Sequence, residues 1–346
     1  MANHRASITD IAKVLGLSVS TISRALADHR DVSEDTKARV RQVAKDLNYR
    51  PNHLAAALRK GRSNTLGVLV PYITGNFFSV VVNGIETAAT KAGLNVMICQ
   101  SNENVLHEKR NLETLLNAQV DGFLVSLART THNLDHFAGI QELNIPLVFF
   151  DRILEGSDVS AVVVDDRLGA YQVVRHLIEQ GSRRIAHFAG PQHLNVWKNR
   201  FQGYLDALRD FGLPFDDSLV YHCDMTEQSG VAGTRKFLQM SPLPDAIFAA
   251  VDIVAVEAMQ VLKEHRIRIP EEIALAGFSN EAFTMFTEPR LTSVDQCGEQ
   301  MGQQAVQMMQ EMLASHSGHF IPRRVVLSPK LKIRDSTLRH SSLLID

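Results

Sequence analysis

Along residues 7–47 apolar side chains return every third or fourth position, in three short runs broken by polar punctuation. Ile8, Ile11, Ala12 and Leu15 share one face of a predicted helix, Ile22 and Leu26 a second, and Val40, Val43, Ala44 and Leu47 a third. Start signals precede each run. Ser7 stands three residues before Asp10, the spacing of a capping pair, while Ser18 and Ser33 are placed to accept from free backbone N–H groups. Gly16 ends the first run, so two helices meet at a tight turn. The predicted unit over residues 1–50 is an all-α helix-turn-helix head.

After Gly61 the period changes. LGVLV at 66–70, LNVMIC at 94–99, GFLVS at 122–126 and PLVFF at 146–150 predict the strands of one lobe; AVVV at 161–164, RIAHFAG at 184–190, AIFAA at 246–250 and IALAG at 273–277 predict those of a second. Amphipathic helical stretches lie between them, as in parallel sheets with crossover helices on both faces. The expected core, 63–335, is therefore α/β and made of two doubly wound parallel-sheet lobes. Lobe 1 is expected at about 63–160 and 291–320, lobe 2 at about 161–290 and 321–335, and a tail at 336–346. MGQQAVQMMQEML at 301–313 reads as a Met-rich helix packed into the core. Sheets of this kind bind ligands in the crevice beyond the carboxyl ends of their strands.

Charge separates the two parts. Residues 1–62 hold 12 Lys plus Arg against 6 Asp plus Glu, a net +6, which leaves −8 for the remainder of a chain whose total is −2. A basic end on an acidic body suits a polyanionic partner. In the second helix Val19, Ser20, Thr21, Ser23 and Arg24 stay outside the predicted core. Their hydroxyls and guanidinium can bond phosphates and base edges, and Val19 can touch a thymine methyl group. A solvated basic three-helix bundle is the blander alternative; it leaves the coincidence of caps, turn glycine and outward hydroxyls unused.

VSTISRAL at 19–26, the third helix, and NYRPNHLAAALRKGRSNTLGVLVP at 48–71 resemble the lactose-repressor (LacI/GalR) family of bacterial transcriptional regulators, and the resemblance spans essentially the whole chain. It implies a core like the type I periplasmic sugar-binding proteins and a hinge helix over 51–62. Tyr49, Pro51, Asn52, Ala55 and Leu58 fall at the family's hinge positions, where paired helices enter the minor groove and a leucine, here Leu58, wedges between base pairs. Pro51 suits a helix start, but so short a segment should order mainly on DNA. The DNA-facing set is then Ser7, Ser18, Val19, Ser20, Thr21, Ser23, Arg24, Thr36 and Tyr49 in the head, with Asn52, Ala55 and Leu58 in the hinge. The family's mode of action implies a homodimer on a pseudo-palindromic operator in double-stranded DNA, with a small carbohydrate-type effector between the lobes controlling repression.

Candidate effector contacts follow from the same matches. Phe77 and Phe78, after Asn76 in YITGNFFSVVVNGIE, either cover the ligand or pack as a pair. Asp151 and Arg152 end the fourth strand in VFFDRI, and Arg200 in WKNRFQGY matches an R-x-x-G-aromatic pattern whose arginine bonds ligand oxygens. Trp197 lies nearby, to stack on a sugar face or to plug the interior. Ser101, Ser126, Asp252 and Gln296 are placed by position alone. Family members that bind simple sugars often carry Asn and Asp where this chain has Val251 and Ser279. Loss of that polarity implies a ligand with fewer hydroxyls there, or one with its own negative charge; Arg152 and Arg200 would suit a sugar acid or sugar phosphate.

Other chemistry is thinly represented. Cys99, Cys223 and Cys297 lack disulfide or zinc spacing and read as packing residues. His132 and His136 have the i, i+4 spacing of a metal pair but no third ligand, and Asp165 with Asp166 opens a helix. With no P-loop, nucleophile elbow or dinucleotide fingerprint, no enzyme activity, cofactor or metal is expected. No apolar leader or span of roughly 18 residues is present, so the expected compartment is the bacterial cytoplasm, with the nucleoid. The alternatives are a corepressor-dependent regulator, and a sugar-binding or sugar-modifying protein with a vestigial head.

Overall fold

Three serine caps organise the head. In this computed structural model, which describes residues 6–49, 62–154, 156–226, 228–315 and 321–339, helices α1 (Ile8–Leu15), α2 (Val19–Leu26) and α3 (Glu34–Asp46) form the head. Ser7 Oγ accepts the Asp10 N–H at 3.3 Å while the Asp10 carboxylate accepts the Ser7 N–H at 2.8 Å, closing the reciprocal cap. Ser18 and Ser33 cap α2 and α3 through the N–H groups of Thr21 and Thr36 at 3.2 and 3.3 Å. Gly16 ends α1 at φ 65°, in the left-handed region where a side chain is disfavoured. Ile11, Ala12, Ile22, Ala25, Val40 and Ala44 form the head's own core, and Tyr49 packs on it. The expected hinge helix, with Asn52, Ala55 and Leu58, lies outside the described residues except for Arg62.

From Asn64 onward the chain is a separate unit with two parallel sheets. The first has strand order β11-β5-β4-β3-β1-β2, built from β1 (Thr65–Val70), β2 (Asn95–Gln100), β3 (Gly122–Val125), β4 (Leu147–Phe150), β5 (Ala161–Val164) and β11 (Arg324–Leu327). Side chains alternate across it: Leu66, Val68 and Val70 join the cluster under α4 (Asn76–Lys91) and α11 (Gly298–Ala314), whereas Leu69 faces Leu112 and Leu115 of α5 (Val105–Asn117). Met301, Met308 and Met309 of α11 are buried in the former cluster. Helices α4 and α11 touch backbone to backbone. A Cβ on Gly84 would lie 2.4 Å from Glu299 O, and one on Gly302 2.2 Å from Val81 O, so neither position accommodates a side chain.

The second sheet has order β7-β6-β8-β9, from β6 (Ile185–Ala189), β7 (Val220–His222), β8 (Ala246–Ala249) and β9 (Ala274–Ala276). After the short helix α6 (Ala138–Glu142) of the first lobe, helices α7 (Asp166–Glu179) and α8 (Asn195–Asp210) cover one face of the second sheet, and α9 (Ser229–Phe237) and α10 (Asp252–Glu264) the other. A small antiparallel pair, β10 (Ser293–Asp295) with β12 (Lys330–Lys332), packs beside α7.

Four boundaries differ from expectation, the first being residues 291–295, expected in lobe 1: Leu291 and Val294 are buried in the second lobe's clusters and Thr292 bridges Ala276 of β9. AVVV at 161–164 does not open the second lobe: it pairs with β4 and β11 in the first sheet, because an all-apolar strand can be buried equally well in either. Residues 324–327 likewise belong to the first sheet. Ser336 and Thr337 are fully buried rather than part of a tail, since Ser336 completes the second sheet by donating from Oγ to Leu275 O at 2.6 Å and accepting the Leu275 N–H at its carbonyl. The chain therefore passes between the lobes at 164–166, 295–298 and 327–330, and both sets of strand ends face one cleft.

Candidate functional site

On the head, α2 presents Val19, Ser20 and Arg24 to solvent, with Thr21 and Ser23 half-buried. Ser18 Oγ lies 2.8 Å from both Ser20 Oγ and Thr21 Oγ1, so the cap also orders the hydroxyls beside it. In α3 Lys37 is buried and charge-paired, its Nζ 2.7 Å from Glu34 and 3.2 Å from Asp28. Arg24 carries no such internal partner among the described residues. A hydroxyl row at the start of a helix, with an exposed cation in its last turn, can dock phosphates and read base edges.

The cleft of the second unit holds a cavity of about 450 Å³. Residues at strand carboxyl ends line it. Tyr72, Thr74 and Gly75 follow β1, Glu103 follows β2, Arg129 follows β3, Arg152 follows β4, Met225 follows β7, Val251 to Ile253 follow β8, and Ser279, Glu281 and Phe283 follow β9; Trp197 comes from α8. A smaller void of about 30 Å³, near the volume of one water, lies between Phe77, Phe78, Asp151, Arg200 and Gln296. Of the expected contacts, Arg152, Trp197, Val251, Asp252 and Ser279 reach the main cavity, while Phe77, Phe78, Asp151, Arg200 and Gln296 line only the inner void. Ser101 and Ser126 line neither. Both are fully buried where their strands end, with backbone N–H groups bonded to Val70 O and Leu69 O at 2.9 Å, which draws them into the first sheet and away from the ligand space.

The two buried arginines do not wait for an anion. Arg152 Nη1 donates to Glu103 at 2.7 and 2.9 Å, and its guanidinium lies 4.8 Å from the Trp197 ring centre and 5.5 Å from that of Phe78. Arg200 donates to Asp166 at 2.7 Å, Ala250 O at 2.7 Å and Gln296 Oε1 at 2.6 Å, over the Phe278 ring. Each of these two cations thus has an internal carboxylate, with which an anionic ligand group would compete. Asp165, for its part, caps α7 through the Leu168 N–H at 2.9 Å.

Acidic groups dominate what remains. Burial pushes Asp151 up to about 6, and Asp166 and Asp252 up to about 7, against the pull of their partners. Asp151 has φ 58°, and its Oδ1 has no hydrogen-bond partner among the described residues. The same is true of Trp197 Nε1. Trp197 is seated against Gly190, where a Cβ would approach the indole to 2.4 Å. Asp252 is different: Oδ2 accepts the Glu281 N–H at 2.8 Å and Oδ1 accepts Ser293 Oγ at 2.6 Å, so it braces its own lobe. The histidine pair separates, His136 bonding buried Glu108 at 2.8 Å while His132 stacks on His193 of the opposite lobe at 4.0 Å.

Sequence reading missed Tyr72, Thr74, Glu103, Arg129, Met225, Ile253, Glu281 and Phe283. Their position just after predicted strands is the signal that could have found most of them.

Residues 7–52 match the model of "Bacterial regulatory proteins, lacI family", and residues 174–337 that of "Periplasmic binding protein-like domain". The HTH-type transcriptional repressor PurR of Photorhabdus laumondii is 31% identical over 307 residues, covering 88% of this chain and 89% of that protein. A solved complex of the transcriptional regulator CelR with cellobiose superposes with TM-score 0.71 at 31% identity, covering 96% of this chain and all of that one. The lac repressor dimer bound to operator and an anti-inducer shares the fold at TM-score 0.84, with 24% identity and 97% of this chain covered.

Proposed function

This chain belongs to the lacI family of bacterial regulatory proteins, and from that premise we propose that it is a cytoplasmic homodimeric repressor released from its operator by an uncharged carbohydrate. It is a DNA-binding transcriptional regulator. The observation that carries the effector reading is the cleft of about 450 Å³: of its two lining arginines, Arg152 is paired with Glu103 and Arg129 donates to the Asp224 carbonyl, while Arg200, outside that cavity, is paired with Asp166. A ligand anion would have to compete with Glu103 or Asp166 for its partner; a polyol needs only hydrogen bonds. Trp197 Nε1, on the wall of that cavity, is a donor without a partner among the described residues, and Tyr72, Trp197 and Phe283 supply apolar surface for sugar C–H faces. Val251 replaces amide polarity on one wall, consistent with a ligand that is less hydroxylated there.

Each subunit would place α2 in a major groove of one half-site, with residues 51–62 between the subunits at the operator centre. Apolar surface suited to a second copy is present on the edge strand β2, where Met97 and Ile98 are exposed, and at Phe286. Effector bound between the lobes changes their relative angle and thereby the spacing of the hinges. A coupling of about 1–3 kcal/mol alters operator affinity roughly 5- to 150-fold.

The test is selection of genomic duplexes by the purified protein with and without neutral mono- and disaccharides, sugar acids and sugar phosphates. Emission of Trp197, the chain's single tryptophan, reports ligand binding in parallel. A palindrome lost with a neutral sugar supports the proposal; a palindrome gained makes the ligand a corepressor, and response only to acids or phosphates refutes the charge argument. No helix among the described residues is long and apolar enough to cross a membrane.

A further inference from the structure

Helix α4 begins at the cleft without a side-chain cap of its own, because its N-cap is Gly75. The missing acceptor comes from the other lobe. Glu281 Oε2 accepts the Asn76 N–H at 2.7 Å and Oε1 accepts the Phe77 N–H at 3.2 Å, across a separation of about 200 residues. A carboxylate there satisfies two orphan donors and also the positive end of the helix dipole. Glu281 is firmly held on its own side. Its N–H donates to Asp252, the Asn280 N–H donates to Ser293 Oγ at 2.9 Å, and Arg334 donates to Asn280 Oδ1 at 2.6 Å. On the other side a Cβ at position 75 would crowd the Tyr72 ring to 2.9 Å, so a residue able to cap α4 locally does not fit.

Gly75 and Glu281 both line the main cavity. Elsewhere polar atoms are unspent: Trp197 Nε1 in the main cavity's wall and Asp151 Oδ1 at the inner void lack partners among the described residues, and each residue is at least 97% buried. At the α4 terminus, by contrast, a ready anion-binding feature of the cleft is already filled by the protein itself.

We propose that Glu281 is a built-in counter-anion that latches the two lobes together and excludes negatively charged ligand groups from the α4 end of the cleft. This rests on reading the cleft as the effector site and deepens it: the residue sets the charge class of the ligand and the resting closure of the lobes. An uncharged effector binds beside the latch, against Trp197 and the other walls of the main cavity. An anion gains the terminus only by displacing a carboxylate that is covalently tethered and therefore present at high local concentration.

The test needs no sugar. Inorganic phosphate is titrated into the full-length wild type, Glu281→Gln and Glu281→Ala, with Trp197 emission and calorimetry as readouts and small-angle scattering for lobe separation. Glu281→Ala is expected to bind phosphate roughly tenfold or more tighter than wild type, the gain a partly buried helix terminus supports. Without phosphate its particle should be more open, and phosphate should close it again. Glu281→Gln, which keeps one acceptor without the charge, should fall between. Equal phosphate binding by wild type and Glu281→Ala, no phosphate binding by either variant while both remain folded, or unchanged scattering of ligand-free Glu281→Ala each overturns the proposal. A carbohydrate panel that finds no ligand bears on the effector reading alone, whereas a sugar-responsive protein with phosphate-blind variants sinks the latch alone.

Discussion

Replacing Arg200 with alanine probes the most heavily bonded group in the cleft. The side chain is 3% exposed and makes three hydrogen bonds, to Asp166, Ala250 O and Gln296. Breaking a buried ion pair by removing one partner costs about 3–5 kcal/mol, mostly because the other charge is stranded. Here the stranded group is Asp166, whose Oδ2 already lacks a partner among the described residues and whose ionisation burial delays to about 7. Without the guanidinium its folded-state value climbs further. The sign follows from proton counting. A carboxyl with a folded value above its unfolded one holds more protons when folded, so stability falls as pH rises until the folded value is passed. Wild type should therefore level off near pH 7, while Arg200→Ala keeps losing about 1.4 kcal/mol per pH unit beyond it. Urea unfolding of the core at about pH 6, 7 and 8 measures this; the expected loss of about 3 kcal/mol at neutral pH should widen with alkalinity. Adding Asp166→Asn to the variant should remove the widening and restore part of the loss. A difference that stays flat across the series, or no rescue by Asp166→Asn, would refute the coupling of Arg200 to Asp166. Operator affinity of ligand-free Arg200→Ala should be retained, because the head has its own core.

Other substitutions test separate parts. Gly302→Ala should cost about 2–3 kcal/mol or more in unfolding experiments, because its Cβ would meet Val81 O and Ile85 N; Gly139→Ala, with open space around it, should change stability by less than about 1 kcal/mol. If the two behave alike, the close contact of α4 and α11 is not real. Buried His187, held down to about 3 by burial, stays neutral when the unfolded chain takes up a proton, so it destabilises the fold as pH falls below about 6.5. His187→Gln should lose that contribution, and the stability gap between wild type and variant should shift by about 1.4 kcal/mol per pH unit between roughly pH 6 and 4; a pH-independent gap would argue against it. Ser18→Ala should weaken the head by about 1 kcal/mol and lower affinity for all duplexes alike, measured by head unfolding and by binding to matched and unmatched DNA. Operator affinity should fall steeply with added salt, by a slope of about −0.9 per phosphate contacted, and a flat salt response would exclude phosphate docking by the basic head.

Local chemistry was enough to read the head. A serine cap, a glycine stop and a 3.6-residue period act over one or two turns, so Ser7, Gly16, Ser18 and Ser33 announce their helices from neighbouring residues alone. Most strands were equally legible from short apolar runs, and the family resemblance pointed to Arg152, Trp197 and Ser279, which do line the main cavity. The assignment of AVVV at 161–164 failed because a doubly buried strand carries no mark of which sheet it joins; pairing with Phe149 and Phe150 decides that. Arg152 and Arg200 read as free cations in the chain, yet Glu103 lies 49 residues from the one and Asp166 34 from the other, and only the folded lobes bring each carboxylate to its arginine. Glu281 is the extreme case. Nothing near it in sequence signals a cap for a helix some 200 residues away, because that contact exists only once two independently patterned sheets face each other across a cleft. Periodicity and caps report short-range forces, whereas the charge state of the cleft and the closure of its lobes come from long-range pairing that chain order does not encode locally.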